Sequence, residues 1–218
     1  MRTFVVVGAG GLGCPALLGL LAGGAESICI VDHDRVDASN LHRQVLFTLA
    51  DVGSSKAEAA AWALRQRRRD LEVQAIARRV DDVGDFLDTL PRDAIVLECT
   101  DQPRLKFAFN DACLRRGVPL VIGAALGLHG QVMCIAAGHA CYRCIYESPP
   151  ADLPSCDAAG VLGPAVGAAG FVMASAALRL AAGAVETSGR LLAIDCATGR
   201  VQTLAPRPRS SCNACGTS

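Results

Sequence analysis

Apolar residues along the chain fall into two alternating patterns. Short, nearly unbroken apolar runs occupy positions 4–7, 27–31, 72–77, 94–98 and 119–123. Between them lie stretches of helical character at 15–22, 55–69, 83–90 and 103–116. Brief runs of this kind are buried on both faces, and helices between successive strands make right-handed crossovers. This half therefore predicts a parallel sheet with helices on both faces. After position 123 the pattern changes. A strand is expected at 130–137, following a turn at Gly127, and 141–160 is irregular, with Pro149, Pro150 and Pro154. A long helix is expected over 163–183. Two runs, 191–196 and 200–204, flank Ala197-Thr198-Gly199 and predict a hairpin. The expected fold is α/β, a Rossmann-like parallel sheet extended by C-terminal antiparallel strands into a mixed sheet.

Composition narrows this picture. A chain of 218 residues with 51% hydrophobic positions suits one sizeable domain over 1–218. Lys and Arg number 21 against 21 Asp and Glu, so overall charge gives no reason to expect a nucleic-acid partner. The basic run Arg65, Arg67, Arg68 and Arg69 sits at a helix end, where cations complement the dipole. It reads as a solvated face, with a docking role as the alternative. Two segments imitate membrane signals. The regular glycines in 2–25 and the strand that follows argue against a signal peptide. Pro164, Arg179 and the Ala- and Gly-rich composition make 161–185 a helix buried against the sheet. No membrane partner and a cytoplasmic location are expected.

Chemistry enters at the first loop. Gly8-x-Gly10-x-x-Gly13 follows the first strand directly and enters the first helix, the setting in which this spacing binds a nucleotide. Glycine permits the tight turn, and the helix N-terminus offers free N–H groups to phosphate. Asp32 ends the second strand, where a carboxylate can accept from ribose hydroxyls. The loop alone favours a dinucleotide such as NAD or FAD. Arg43 and Lys56, placed after the second strand, suit a triphosphate better, and Asp101 after the fourth strand is placed to hold Mg²⁺. Each has a plainer reading: surface charge for Arg43 and Lys56, helix N-cap for Asp101.

Eleven cysteines in a chain expected to be cytosolic argue against a disulfide framework. Cys14, Cys29, Cys99, Cys113, Cys134 and Cys196 read as small buried hydrophobes. Cys141-x-x-Cys144 and Cys212-x-x-Cys215 instead match a closed four-sulfur Zn²⁺ site, which is structural because it leaves no coordination position for a substrate. A redox pair is the alternative.

These stretches, together with Asp32-His33-Asp34, Ser39-Asn40-Leu41-His42-Arg43-Gln44, Gly53-x-x-Lys56, Cys99-Thr100-Asp101 and Pro119-Leu120-Val121, resemble the ubiquitin-activating-enzyme-like superfamily. The resemblance is greatest to its bacterial adenylyltransferases of the MoeB/ThiF/HesA type. It implies that a small ubiquitin-like sulfur-carrier protein inserts its C-terminal Gly-Gly tail, whose carboxylate attacks the α-phosphate of MgATP. It further implies that Gly11 and its loop cover the phosphates and that Asp32 holds the ribose. Ser39, Asn40, Arg43 and Lys56 would surround the phosphates, Asp101 would bind Mg²⁺, and Asp34, Gln44 and Gln102 would complete the nucleotide set. Residues 1–124 would then form the nucleotide-binding half and 125–218 the carrier-binding half with the zinc site.

Cys156 occupies the family's loop-cysteine position, as a covalent nucleophile or as an incidental thiol. The resemblance also implies a homodimer and, with no rhodanese-like extension in the sequence, a separate sulfur donor. Two departures stand out. The family's arginine preceding strand one, which reaches the partner's ATP, has no match in this sequence. Gln102 also replaces the usual asparagine after the aspartate. Other readings are a relative that binds a carrier without activating it, one that adenylates another acceptor, and an NAD(P)-dependent oxidoreductase. The last leaves Arg43, Lys56 and Asp101 without a role.

Overall fold

The computed structural model describes residues 2–150 and 160–216. Eight strands form one sheet in the order β3-β2-β1-β4-β5-β6-β7-β8. Strands β1 (Thr3–Val7), β2 (Ser27–Val31), β3 (Glu72–Ile76), β4 (Ile95–Glu98) and β5 (Leu120–Leu126) run parallel. Strands β6 (His129–Ile135), β7 (Leu191–Asp195) and β8 (Arg200–Leu204) continue the sheet antiparallel. The expected mixed sheet is what forms. Position 124 falls inside β5, so no break in the sheet separates the two halves read from the sequence.

One face carries α1 (Gly13–Ala22), α2 (Lys56–Arg67) and α6 (Gly163–Ala181). The other carries α3 (Val83–Asp88), α4 (Pro103–Arg116) and the short α5 (Tyr142–Ile145). Their boundaries follow local chemistry. Ser55 caps α2 by accepting from the Glu58 N–H, and Gly117 ends α4 in the left-handed conformation at φ 67°. Helix α3 stops earlier than its apolar pattern implies, and the Thr89 hydroxyl donates to the Phe86 carbonyl at its end.

Among the described residues, α6 is the helix long and apolar enough to cross a membrane, and half of its apolar window is buried inside the protein. Small residues explain the fit. A Cβ on Gly170 would lie 2.5 Å from the Leu12 carbonyl oxygen, so α1 and α6 pack backbone to backbone. Met173 is fully buried over Gly123, whereas Phe171 stays half exposed. The sequence offers the apolar helix around Phe171 and Met173 as an interface for the expected homodimer; the structure splits that pair, with Met173 turned into the core. Two further expectations need correction. Cys196 lies past the end of β7 and is only partly buried. The basic run is not a purely solvated face, because Arg65 donates to the Val73 carbonyl and Arg68 to the Ala25 carbonyl.

Candidate nucleotide site and cysteine cluster

In an open parallel sheet, ligands collect beyond the carboxyl ends of the strands where the strand order reverses. Here that point lies between β1 and β4, and the two loops leaving them are the glycine loop and the Thr100–Gln102 turn. They touch. Gly8 adopts φ +93°, and a Cβ there would lie 3.1 Å from the Cys99 carbonyl carbon and oxygen. Both the conformation and the space require glycine.

Gly13 opens α1 so close to the loop that its Cβ would sit 1.9 Å from the Gly8 carbonyl oxygen. Gly13→Ala is expected to cost about 1–3 kcal/mol, the usual toll of overpacking, and to weaken ATP binding as the loop is displaced. A thermal melt paired with ATP calorimetry checks this; unchanged values in both would refute it. Gly11 backs onto Val166 of α6, and Gly10 faces the Gln44 amide.

Asp32 is nearly buried at the end of β2. Its Oδ2 accepts the Ala9 N–H at 2.7 Å and its Oδ1 accepts the Asp34 N–H at 2.8 Å. The residue read as a ribose ligand therefore also shapes the glycine loop. Lys56, the first residue of α2, is buried and reaches the exposed Asp34 carboxylate at 2.9 Å. Burial acts to raise the Asp34 pKa, but Lys56, with His33 and Arg79, overrides it and holds the carboxyl below its ordinary value. The plain reading of Lys56 as a surface charge is thus wrong. It is a buried cation linking the ends of β2 and α2.

Beside this lies a cleft of about 820 Å³ lined by Ser39, Asn40, Arg43, His129, Val161 and neighbouring residues. The Asp37 carboxylate accepts from the Ser39 N–H and hydroxyl, fixing the turn that presents Asn40 and Arg43. Arg43 also meets the His42 ring at 3.3 Å. Gln44 is almost fully buried with an amide oxygen that has no hydrogen-bond partner among the described residues. A buried acceptor beside the glycine loop calls for a donor. Asp101 and Gln102 are exposed on the β4 edge, and Gln102, not Asp101, is the N-cap of α4. Asp101 makes no hydrogen bond or ion pair among the described residues. Its carboxylate thus remains open to a cation, which fits Mg²⁺. Cys156 lies outside the described residues.

The four paired cysteines come together as expected. Their sulfurs lie within 4.8 Å of one another, with Cys141 to Cys212 at 3.6 Å and Cys144 to Cys215 at 3.3 Å. A tetrahedral ion with Zn–S bonds near 2.3 Å needs sulfurs roughly 3.8 Å apart, so the donor set fits zinc. The surroundings orient it. Asn110 of α4 accepts the Tyr142 N–H at 2.8 Å, and Arg143 binds both oxygens of Asp111 while stacking over Phe107. Burial opposes ionisation at Cys212, yet the N–H groups of Ala214 and Cys215 and the Cys141 thiol draw it down to about 6. Within the same cluster burial pushes Cys141 up to about 11 and also raises Cys215, and the lone buried thiols follow that upward trend. Burial pushes Cys14 and Cys113 up to about 12 and Cys29 and Cys134 up to about 11, so they stay protonated packing groups.

A nucleotide loop, a facing carboxylate and a distal cysteine cluster on one mixed sheet define an E1-like adenylyltransferase architecture. The chain matches the ThiF family over residues 2–214 and belongs to it. It is 35% identical to the sulfur carrier protein ThiS adenylyltransferase of Escherichia coli (strain K12), over 97% of this chain and 85% of that protein. Its identity to the SAMP-activating enzyme E1 of Haloferax volcanii is 37%, over 97% and 79%. The adenylyltransferase and sulfurtransferase MOCS3 of Arabidopsis thaliana is also 37% identical, but this chain spans only 47% of its length. Among solved structures, E. coli MccB with MccA-N7isoASN superposes with a TM-score of 0.86 at 21% identity, covering 99% of this chain and 67% of that one. That likeness bears on the fold alone.

Proposed function

We propose that this protein adenylates the C-terminal Gly-Gly carboxylate of a small ubiquitin-like sulfur carrier, using ATP. The observation that carries the reading is the meeting of the glycine loop with the Cys99–Thr100 turn that leads into Asp101 and with Gln44, which follows the Ser39–Arg43 segment lining the cleft. Homology to enzymes named for activating ThiS and SAMP supplies the acceptor class.

A carboxylate oxygen of the tail attacks the α-phosphorus, the bond to the bridging oxygen breaks, and pyrophosphate leaves with the electron pair. The glycine-loop N–H groups hold the phosphates, Asp32 and Asp34 face the ribose, and Gln44 and Gln102 add amide contacts. Ser39, Asn40, Arg43 and Lys56 stabilise the charge moving onto pyrophosphate. Asp101 would hold a magnesium ion, which would supply charge neutralisation at the phosphates. The tail enters through the cleft beside Arg43 and His129. The Cys156 thiolate would attack the adenylated tail carbonyl, breaking its bond to phosphate and releasing AMP as a thioester forms, and a separate protein supplies the sulfur. The enzyme works as a cytoplasmic homodimer, and the zinc clip has no part in the chemistry.

The direct test is carrier-dependent exchange of labelled pyrophosphate into ATP. Arg43→Ala is expected to reduce exchange by roughly 10²-fold, the order of effect seen when a group stabilising transition-state charge is removed. If no ubiquitin-fold carrier, including one encoded beside this gene, supports any exchange, the proposal is lost. Carrier binding without exchange would establish the non-activating alternative.

A further inference from the structure

Glu98 and Lys106 form an ion pair at 2.6 Å whose side chains are 0% and 6% exposed. Nothing in the mechanism above uses it. A buried ion pair adds little stability over an apolar pair of the same shape, so stabilisation is a weak account of its presence.

Its geometry has a direction. The three ammonium hydrogens of Lys106 are fully used: Nζ donates to Glu98 Oε2 at 2.6 Å, to the Thr100 carbonyl at 2.7 Å and to the Gly123 carbonyl at 2.6 Å. The other oxygen of Glu98 accepts the Thr100 N–H at 3.0 Å and also the Thr100 hydroxyl. The Thr100 hydroxyl oxygen in turn accepts the Gln102 N–H at 3.3 Å. One ion pair thus holds the residue before Asp101 at its N–H, its hydroxyl and its carbonyl. Gln102, on the other side, is fixed as the start of α4, the helix that carries Lys106. Gly8 packs against the backbone of Cys99 and Thr100, which the side-chain clamp does not itself supply.

We propose that Lys106 is a positioning residue which, through Glu98 and Thr100, aims Asp101 at the metal of MgATP. Lys106 itself touches neither nucleotide nor metal. The inference rests on the reading of Asp101 as the magnesium ligand.

The test compares ATP affinity by calorimetry with Mg²⁺ and with EDTA, alongside thermal melts, and the quantity read is the affinity gained from magnesium. Glu98→Gln/Lys106→Met removes both charges at nearly constant volume. It is expected to bind metal-free ATP as the parent does but to lose about tenfold or more of the magnesium gain, as when groups orienting a metal ligand are removed. Glu98→Asp/Lys106→Arg, which restores a charged clamp of similar total length, is expected to recover most of it. A folded charge-free variant with the full magnesium gain would overturn the proposal. Should that variant not fold, Thr100→Val takes its place, because it keeps the ion pair and removes only the hydroxyl. It should lose part of the magnesium gain, and an undiminished gain there counts against the clamp equally. Asp101→Ala is the control that separates the two ideas. If it leaves the magnesium gain intact, Asp101 is not the ligand, and the reading beneath the inference fails whatever the pair variants do.

Discussion

Asp101→Ala is expected to lower carrier-dependent pyrophosphate exchange by about 10²–10³-fold, because it removes the carboxylate proposed to hold magnesium. The same change should move the melting temperature by less than about 2 °C, since exposed side chains without partners contribute little to stability. The structure makes this separation possible. Asp101 has no hydrogen bond or ion pair among the described residues, and the N-cap of α4 is its neighbour Gln102. Its conservation of fold and loss of chemistry would be hard to explain as a capping defect. Asp101→Asn, which keeps shape but loses charge, should fall nearly as far. A variant retaining parental exchange would remove magnesium from this position and, with it, the assignment of the β4 edge as the reacting side.

Much of this arrangement was legible in the sequence because its causes are local. The glycine loop lies between a strand and a helix that can be read within a few residues, and Ser55 before Lys56 marks the start of α2. The hairpin of β7 and β8 announces itself through Ala197-Thr198-Gly199, where the Asp195 carboxylate accepts the Ala197 N–H and the Thr198 hydroxyl. Asp101 could be found from its place after a buried strand. What the pattern missed or left open has a different origin. Lys106 looks like any polar position on an amphipathic helix, and its burial depends on carbonyls of Thr100 and Gly123 brought together only by the folded sheet. Lys56 looks like a surface cation for the same reason, its partner Asp34 being 22 residues away.

Side-chain direction on α6 was equally hidden. Periodicity marks α6 as apolar nearly all round, so it does not decide whether Phe171 or Met173 faces the sheet. Gly123 decides it, by leaving room over β5 that the Met173 thioether fills. The arginine run went partly astray because nearby carbonyls on other segments, Val73 and Ala25, capture Arg65 and Arg68. In each case the pattern along the chain gave the element, while a contact distant in sequence set the role of the side chain.

The largest stability effect is expected at the cysteine cluster. Carefully purified protein should contain one Zn²⁺ per chain. Cys144→Ser should lose it and destabilise the fold by on the order of 3 kcal/mol, or roughly 6–12 °C in melting temperature for a chain of this size. The cost falls below that of a zinc-finger peptide because the sheet has its own core, whereas the segment around Cys212 has little beyond the packing of Cys212, Ala214 and Cys215 on that core. What remains without metal is Arg209, which meets Glu147 at 2.5 Å and the Arg143 carbonyl at 2.5 Å. That exposed pairing contributes little by itself, so the tail should become sensitive to protease while the nucleotide half stays folded. A redox pair predicts the opposite dependence: melting would respond to reductant and oxidant and ignore a chelator. The four sulfurs argue against it geometrically, since the contacts at 3.6 and 3.3 Å run between the two motifs and tie Cys141 and Cys144 to Cys212 and Cys215. Protein with well under one zinc per chain and a chelator-independent melt would sink the clip, and Arg143, clasped by Asp111 and stacked on Phe107, would then be what holds the knuckle against α4.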